Sequence, residues 1–152
     1  MKIGTILRFR TPYFLIFMFC VTLLKGQASY VGNLTLSTQS QVDNFDFSTV
    51  TGNLYVSSSI LNVDGLSSLT HVGGNLSIAN NPNLTNLDGF LNLTYVGGFL
   101  SIFSCSGLTH IDDFPNLLEV HGNNLSTASN LNLVSISGFI PQTKRKGKKV
   151  YF

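Results

Sequence analysis

The amino-acid sequence predicts a mainly β protein, a short β-solenoid of about four and a half repeats of ~24 residues each. Three observations lead there. One pattern is written twice in succession, as GGNLSIANNPNLTNLDGFLNLTYV (73–96) and GGFLSIFSCSGLTHIDDFPNLLEV (97–120). In each copy the apolar residues then fall on every third position: Leu84, Leu87, Phe90, Leu93 and Val96, followed by Leu108, Ile111, Phe114, Leu117 and Val120. An amphipathic α-helix needs steps of three and four mixed, so this spacing argues for extended or 3₁₀-like chain with one side inward. The LSI segments follow a different rule, with Leu76 and Ile78 alternating around Ser77 as in a strand with one buried face.

Taken in order, the first 28 residues read as a secretion signal. Lys2, Arg8 and Arg10 give a basic start, Tyr13 to Leu24 an apolar run, and Gly26-Gln27-Ala28 a small-x-small cleavage site. The apolar run falls short of the roughly 20 residues that span a bilayer. Residues 29–140 hold the repeats. Residues 31–50 form a short first copy, with strand residues GNLTL and inner positions Val42, Phe45 and Val50. Residues 51–72 form a second, with Ile60, Val63, Leu66, Leu69 and Val72 in register. A fifth, from His121, carries an inserted residue before Leu125 and resumes the period at Leu133, Ile136 and Phe139. Residues 141–152 read as a basic, disordered tail, since Pro141 and KRKGKK replace the apolar pattern.

The formal net charge of +2 conceals a strong asymmetry. Every Lys and Arg lies either in the leader or in the tail, as Lys144, Arg145, Lys146, Lys148 and Lys149, so Ser29 to Thr143 carries only acids. A body of this kind has no basic patch for nucleic acid, and only the tail offers contact to an anionic surface. It also lacks the cation that a polysaccharide lyase would use on an acidic polymer, which argues against an enzyme. No cofactor motif occurs. With Cys20 in the leader, Cys105 is the one remaining cysteine, so stability must come from stacking rather than an internal disulfide.

The run Leu93-Thr94-Tyr95-Val96-Gly97-Gly98-Phe99-Leu100-Ser101-Ile102, echoed by Val72-Gly73-Gly74-Asn75-Leu76-Ser77-Ile78, resembles the receptor L-domain type of leucine-rich repeat. That family occurs in ligand-binding ectodomains of insulin- and EGF-type receptors and in secreted bacterial and fungal surface proteins. The resemblance covers about 31–139 and implies a leucine-rich-repeat-like stack. The chain departs from full L domains in lacking their disulfides and in stopping part-way through a repeat.

Several columns carry chemistry-bearing side chains. Gln39, Ser59, Asn81, Cys105 and Asn130 share the position where such repeats place Asn or Cys, an inward polar group that bonds backbone at a tight turn. Cys105 reads as a turn-filler there. Asp64, Asp88 and Asp112 recur with the repeat, yet one carboxylate per copy suits Asp-Gly or Asp-Asp turns better than a calcium ladder. His71, His110 and His121 occupy different columns, so stacking alone gathers no ligand set and no metal site is expected. Five sequons, at Asn33, Asn75, Asn83, Asn92 and Asn124, are candidate glycan acceptors, although the repeat pattern itself favours Asn and Ser or Thr around each Leu.

The outward strand columns read Asn33-Thr35-Ser37, Asn53-Tyr55-Ser57, Asn75-Ser77-Ala79, Phe99-Ser101-Phe103 and Asn124-Ser126-Ala128. Phe99 and Phe103 break a polar and small surface, and alternation puts both on the side of Ser101. With Ser101 and Tyr55 they are the expected ligand-binding residues of a secreted or cell-surface binding or adhesion scaffold whose ligand is a protein or glycan. The competing expectation is a structural envelope or matrix component, or a truncated repeat protein without independent activity. The first strand, Gly32 to Leu36, has no Lys or Pro to blunt it and is expected to offer an edge for self-association.

Overall fold

A computed structural model describes residues 28–122, 124–137 and 149–151. The expected leader therefore lies outside the described residues but for Ala28, and the basic run lies outside them but for the backbone of Lys149.

The architecture is mainly β, with parallel sheets and few helices. β1 (Ala28–Tyr30), β3 (Phe47–Val50), β5 (His71–Val72), β7 (Tyr95–Val96) and β10 (Glu119–Val120) form one sheet in that order. β2 (Leu34–Leu36), β4 (Leu54–Ser57), β6 (Leu76–Ala79), β8 (Leu100–Phe103), β11 (Asn124–Ser126) and β13 (Lys149–Tyr151) form a second. β9 (His110–Ile111) and β12 (Ser135–Ile136) make a two-stranded third. The chain thus steps from one sheet to the other and back, and each return pairs in parallel with the strand before it.

Register follows the sequence copies. Leu54 pairs with Leu76 and Leu76 with Leu100, while Val50, Val72, Val96 and Val120 align across the other sheet. The three-step residues point inward between the sheets: Ile60, Val63, Leu66 and Leu69, then Leu84, Leu87, Phe90 and Leu93, are all 0% exposed. Both sheets contribute to the one hydrophobic cluster. At roughly 1.5–3 kcal/mol for each large apolar side chain buried, such columns are the main favourable term opposing chain entropy. The three-period segments contain 3₁₀ turns at Asp64–Ser68 and Asp88–Phe90, where Phe90 stacks on Phe114 at 5.7 Å.

Four features depart from expectation. A short helix, α1 (Gln39–Asp43), occupies the irregular first copy; Thr38 accepts from Gln41 N while Gln41 returns a bond to the cap, a reciprocal box that a T-x-x-Q spacing encodes. β1 begins at Ala28, one residue inside the expected leader, and founds the five-stranded sheet. β2 is only Leu34–Leu36, although it does end its sheet among the described residues. Finally, a segment of the tail expected to be disordered forms a strand: Lys149, Val150 and Tyr151 pair with Asn124, Leu125 and Ser126.

Candidate functional site

The outer face of the six-stranded sheet is built by alternation. Leu100 and Ile102 are fully buried, so Ser101 and Phe103 point away from the core. Phe99 is 42% exposed, Phe103 36% and Tyr55 37%. The register sets Thr35, Tyr55, Ser77, Ser101 and Ser126 in one row and Ser57, Ala79 and Phe103 in the next. Tyr55 and Ser101 thus share a row, with Ser77 between them, and Phe103 lies beside Ala79, whose methyl is buried. The structure brings the expected residues onto one face, on strands fixed by main-chain hydrogen bonds.

Phe99 also interrupts a ladder. Asn33 Oδ1 accepts from Asn53 N at 2.8 Å, Asn53 Oδ1 from Asn75 N at 2.7 Å, and Asn75 Oδ1 from Phe99 N at 3.0 Å. Each carboxamide ties the start of its strand to the start of the next. A phenyl ring cannot accept the following bond, so the column gives up its structural group where the ring appears.

The receptor L domain family model matches residues 70–138. This segment is receptor L-domain-like. It takes in Phe99, Ser101 and Phe103, and leaves Tyr55 outside. No curated protein and no solved structure gives a significant match to the chain. Among the described residues no helix is long and apolar enough to cross a membrane.

The polar turn column, which runs through the receptor L-domain-like segment and upstream of it, does what its residue types imply, with one exception. Asn81, fully buried, accepts from Ile60 N at 2.9 Å and donates to Val56 O at 3.1 Å. Asn130 accepts from Cys105 N and donates to Ile102 O, and upstream Gln39 accepts from Leu61 N at 2.9 Å. Cys105 is buried, and burial pushes its thiol pKa up, as suits a turn-filler rather than a nucleophile. Ser59 is the exception: it is exposed with φ 68°, because its copy is two residues shorter and Gln39 and Asn81 already serve its neighbours.

Two further expectations are corrected. Asp64 and Asp88 do begin 3₁₀ turns, but Asp112 does not, and its neighbour Asp113 turns inward. Asp113 is 7% exposed and its Oδ2 accepts from Leu87 N at 2.7 Å. Burial, aided by the nearby carboxylates of Asp112 and Asp88, raises its pKa from 3.8 to about 6 against the opposing Leu87 bond. The histidines are also less scattered than their columns suggest. His71 stacks on Tyr95 at 4.3 Å and His121 tilts against the same ring at 5.5 Å, with Glu119 3.4 Å from His121 Nε2. Tyr95 stands between the two imidazoles, which makes a ring column.

The sequon asparagines divide by environment. Asn33 and Asn75 are committed through Oδ1 to the ladder. Asn83 and Asn92 are exposed, and Asn92 Nδ2 donates to Ser67 O at 2.9 Å. The side chain of Asn124 lies outside the described residues.

Proposed function

We propose that residues 29–140 form a secreted or cell-surface binding and adhesion module, a short leucine-rich-repeat-like solenoid of about four and a half repeats. Its ligand, a protein or a glycan, meets the outer face of the six-stranded sheet. What supports this reading is the pair of exposed rings, Phe99 and Phe103, flanking Ser101 on a face of small and polar side chains. Rigid aromatic anchors supply large contact area at little entropic cost, and Tyr55 adds a hydroxyl in the row of Ser101, two strands away. The likeness of residues 70–138 to a ligand-binding receptor domain points the same way. In this reading the protein catalyses nothing.

Phe99→Ala combined with Phe103→Ala is expected to abolish retention of the full chain on at least one immobilised extracellular protein or glycan that binds the parent. Its thermal midpoint should stay close to that of the parent. A midpoint lowered by many degrees would assign both rings to the core and sink the reading.

The module also presents β2 as an open edge, with Thr35 exposed at its centre. Light scattering at high concentration should show dimers that Thr35→Lys removes, and monomer alone would rule edge pairing out.

A further inference from the structure

Away from the aromatic face, where the 3₁₀ turns lead into β5 and β7, a groove of about 420 Å³ opens beside Ser67, Ser68, Thr70, Asn92, Thr94, Asn116 and Leu118. That volume lies in the range of small-ligand sites. No lining side chain carries a charge. Three of the hydroxyl donors are committed to main chain: Thr70 Oγ1 to Ser48 O at 3.0 Å, Thr94 Oγ1 to Thr70 O at 2.9 Å and Ser68 Oγ to Phe47 O at 3.1 Å. Asn92 Nδ2 likewise donates to Ser67 O at 2.9 Å and Asn116 Nδ2 to Leu91 O at 2.8 Å. What remains for a ligand is therefore an uncharged, mixed set: the hydroxyl lone pairs, the two carboxamide oxygens and the second N–H of each carboxamide, held in place by those bonds.

The acceptors repeat. Thr70 and Thr94 stand one strand apart, as do Asn92 and Asn116 one sequence copy apart, so the groove offers similar groups at ~4.8 Å steps across the strands. Leu118 takes the place of a third threonine in that row and is 59% exposed, adding an apolar patch beside the oxygens. An anion would find no positive charge in the lining, and a cation no carboxylate. A chain of rings that carries hydroxyl donors on its rim and C–H groups on its faces satisfies both kinds of surface.

We propose that this groove is a second binding site and that it takes a neutral saccharide. Asn92 lies in the lining and in a sequon, so the saccharide can come from another molecule or from a glycan that the chain carries on Asn92 itself. The groove is separate from Phe99 and Phe103, so this proposal and the reading of the aromatic face fail independently.

The test uses the full chain, made in a bacterial host and in a eukaryotic secretory host. Each product is applied to an array of short neutral hexose and N-acetylhexosamine oligomers beside sulfated, sialylated and peptide spots. The unglycosylated chain is expected to bind neutral oligomers, and Leu118→Glu to weaken that binding about tenfold with an unchanged thermal midpoint. The Phe99→Ala, Phe103→Ala variant should bind them as the parent does. Equal binding by the eukaryotic product identifies an external saccharide. Binding that is lost in that product and restored by endoglycosidase trimming identifies the Asn92 glycan as the occupant. Absence of neutral-oligomer binding by the bacterial product, indifference to Leu118→Glu, dependence on the two phenylalanines, or preference for peptide or acidic spots would each overturn the proposal.

Discussion

The segments 73–96 and 97–120 align residue for residue, and four of their differences fall where one segment follows a packing rule and the other abandons it. Gly89 faces Asp113, Asn75 faces Phe99, Ala79 faces Phe103 and Thr94 faces Leu118. In the earlier segment each of these positions serves stacking: Gly89 is buried under the Val63 carbonyl, Asn75 extends the amide ladder, Ala79 is buried and Thr94 bonds Thr70 O. In the later one the same positions hold a buried acid, two exposed rings and an exposed leucine. A repeat that surrenders ladder bonds and adds exposed apolar surface gains nothing in stability from doing so. The face bearing Phe99 and Phe103 and the groove flank of Leu118 both belong to that segment, which is why the binding proposals centre there.

The sharpest way to break the comparison is to write the later residue into the earlier segment. Gly89 packs so closely on the preceding copy that a Cβ would enter the Val63 carbonyl oxygen, and Gly65 stands in the same relation to Val42. Asp113 escapes this because its stretch forms no 3₁₀ turn, Ile111 pairing instead with Ile136. Gly89→Asp should therefore destabilise the protein by about 3 kcal/mol, with a backbone shift needed on top of burying a charge. Urea unfolding measures it. A cost near zero would mean that the Asp-Gly turns are as adaptable as the Asp-Asp one.

A smaller effect is expected from neutralising Asp113. Its folded pKa, about 6, lies above the ordinary 3.8, so the folded chain holds the proton more tightly than the unfolded chain does. The stability it contributes is complete below pH 3.8, is lost as pH rises from there to about 6, and stays lost above. Asp88 and Asp112 are the charged groups acting on it, and both oppose its ionisation. Asp113→Asn keeps an oxygen for Leu87 N and should flatten that decline, leaving the variant more stable by on the order of 1–2 kcal/mol at neutral pH. Parallel curves for parent and variant in thermal melts across that window would show Asp113 to be uncharged or solvated throughout.

Much of this is legible in the sequence. The three-step spacing announced the 3₁₀ turns, the Leu-x-Ile alternation announced β6 and β8, and the two phenylalanines stood out against a polar column. What escaped has physical reasons. β5, β7 and β10 are two residues long, too short for alternation to register, so the five-stranded sheet left little trace beyond Val72, Val96 and Val120. α1 is a single capped turn whose T-x-x-Q signal is weak beside an irregular copy. The inward turn of Asp113 depends on β9 pairing with β12, a non-local event that no window around Asp112-Asp113 reveals. The stacking of His71 and His121 about Tyr95 depends likewise on two neighbouring copies at once.

The finest probe of the comparison is Phe99→Asn, which restores the earlier segment's residue at one site of the proposed face. If the amide ladder is a stabilising device that Phe99 interrupts, the new carboxamide supplies the acceptor that follows Asn75. A hydrogen bond of this kind contributes about 1 kcal/mol net. Phe99→Ala provides the reference, because it removes the ring without adding an acceptor. The asparagine variant should be about 1 kcal/mol more stable than the alanine variant, and at least as stable as the parent, since the parent ring is 42% exposed and loses little buried area. Both variants should lose ligand retention equally, because each lacks the ring. A stability order with the parent clearly highest would place Phe99 in packing rather than recognition. Retained binding in Phe99→Asn would move the contact to Phe103 and Tyr55.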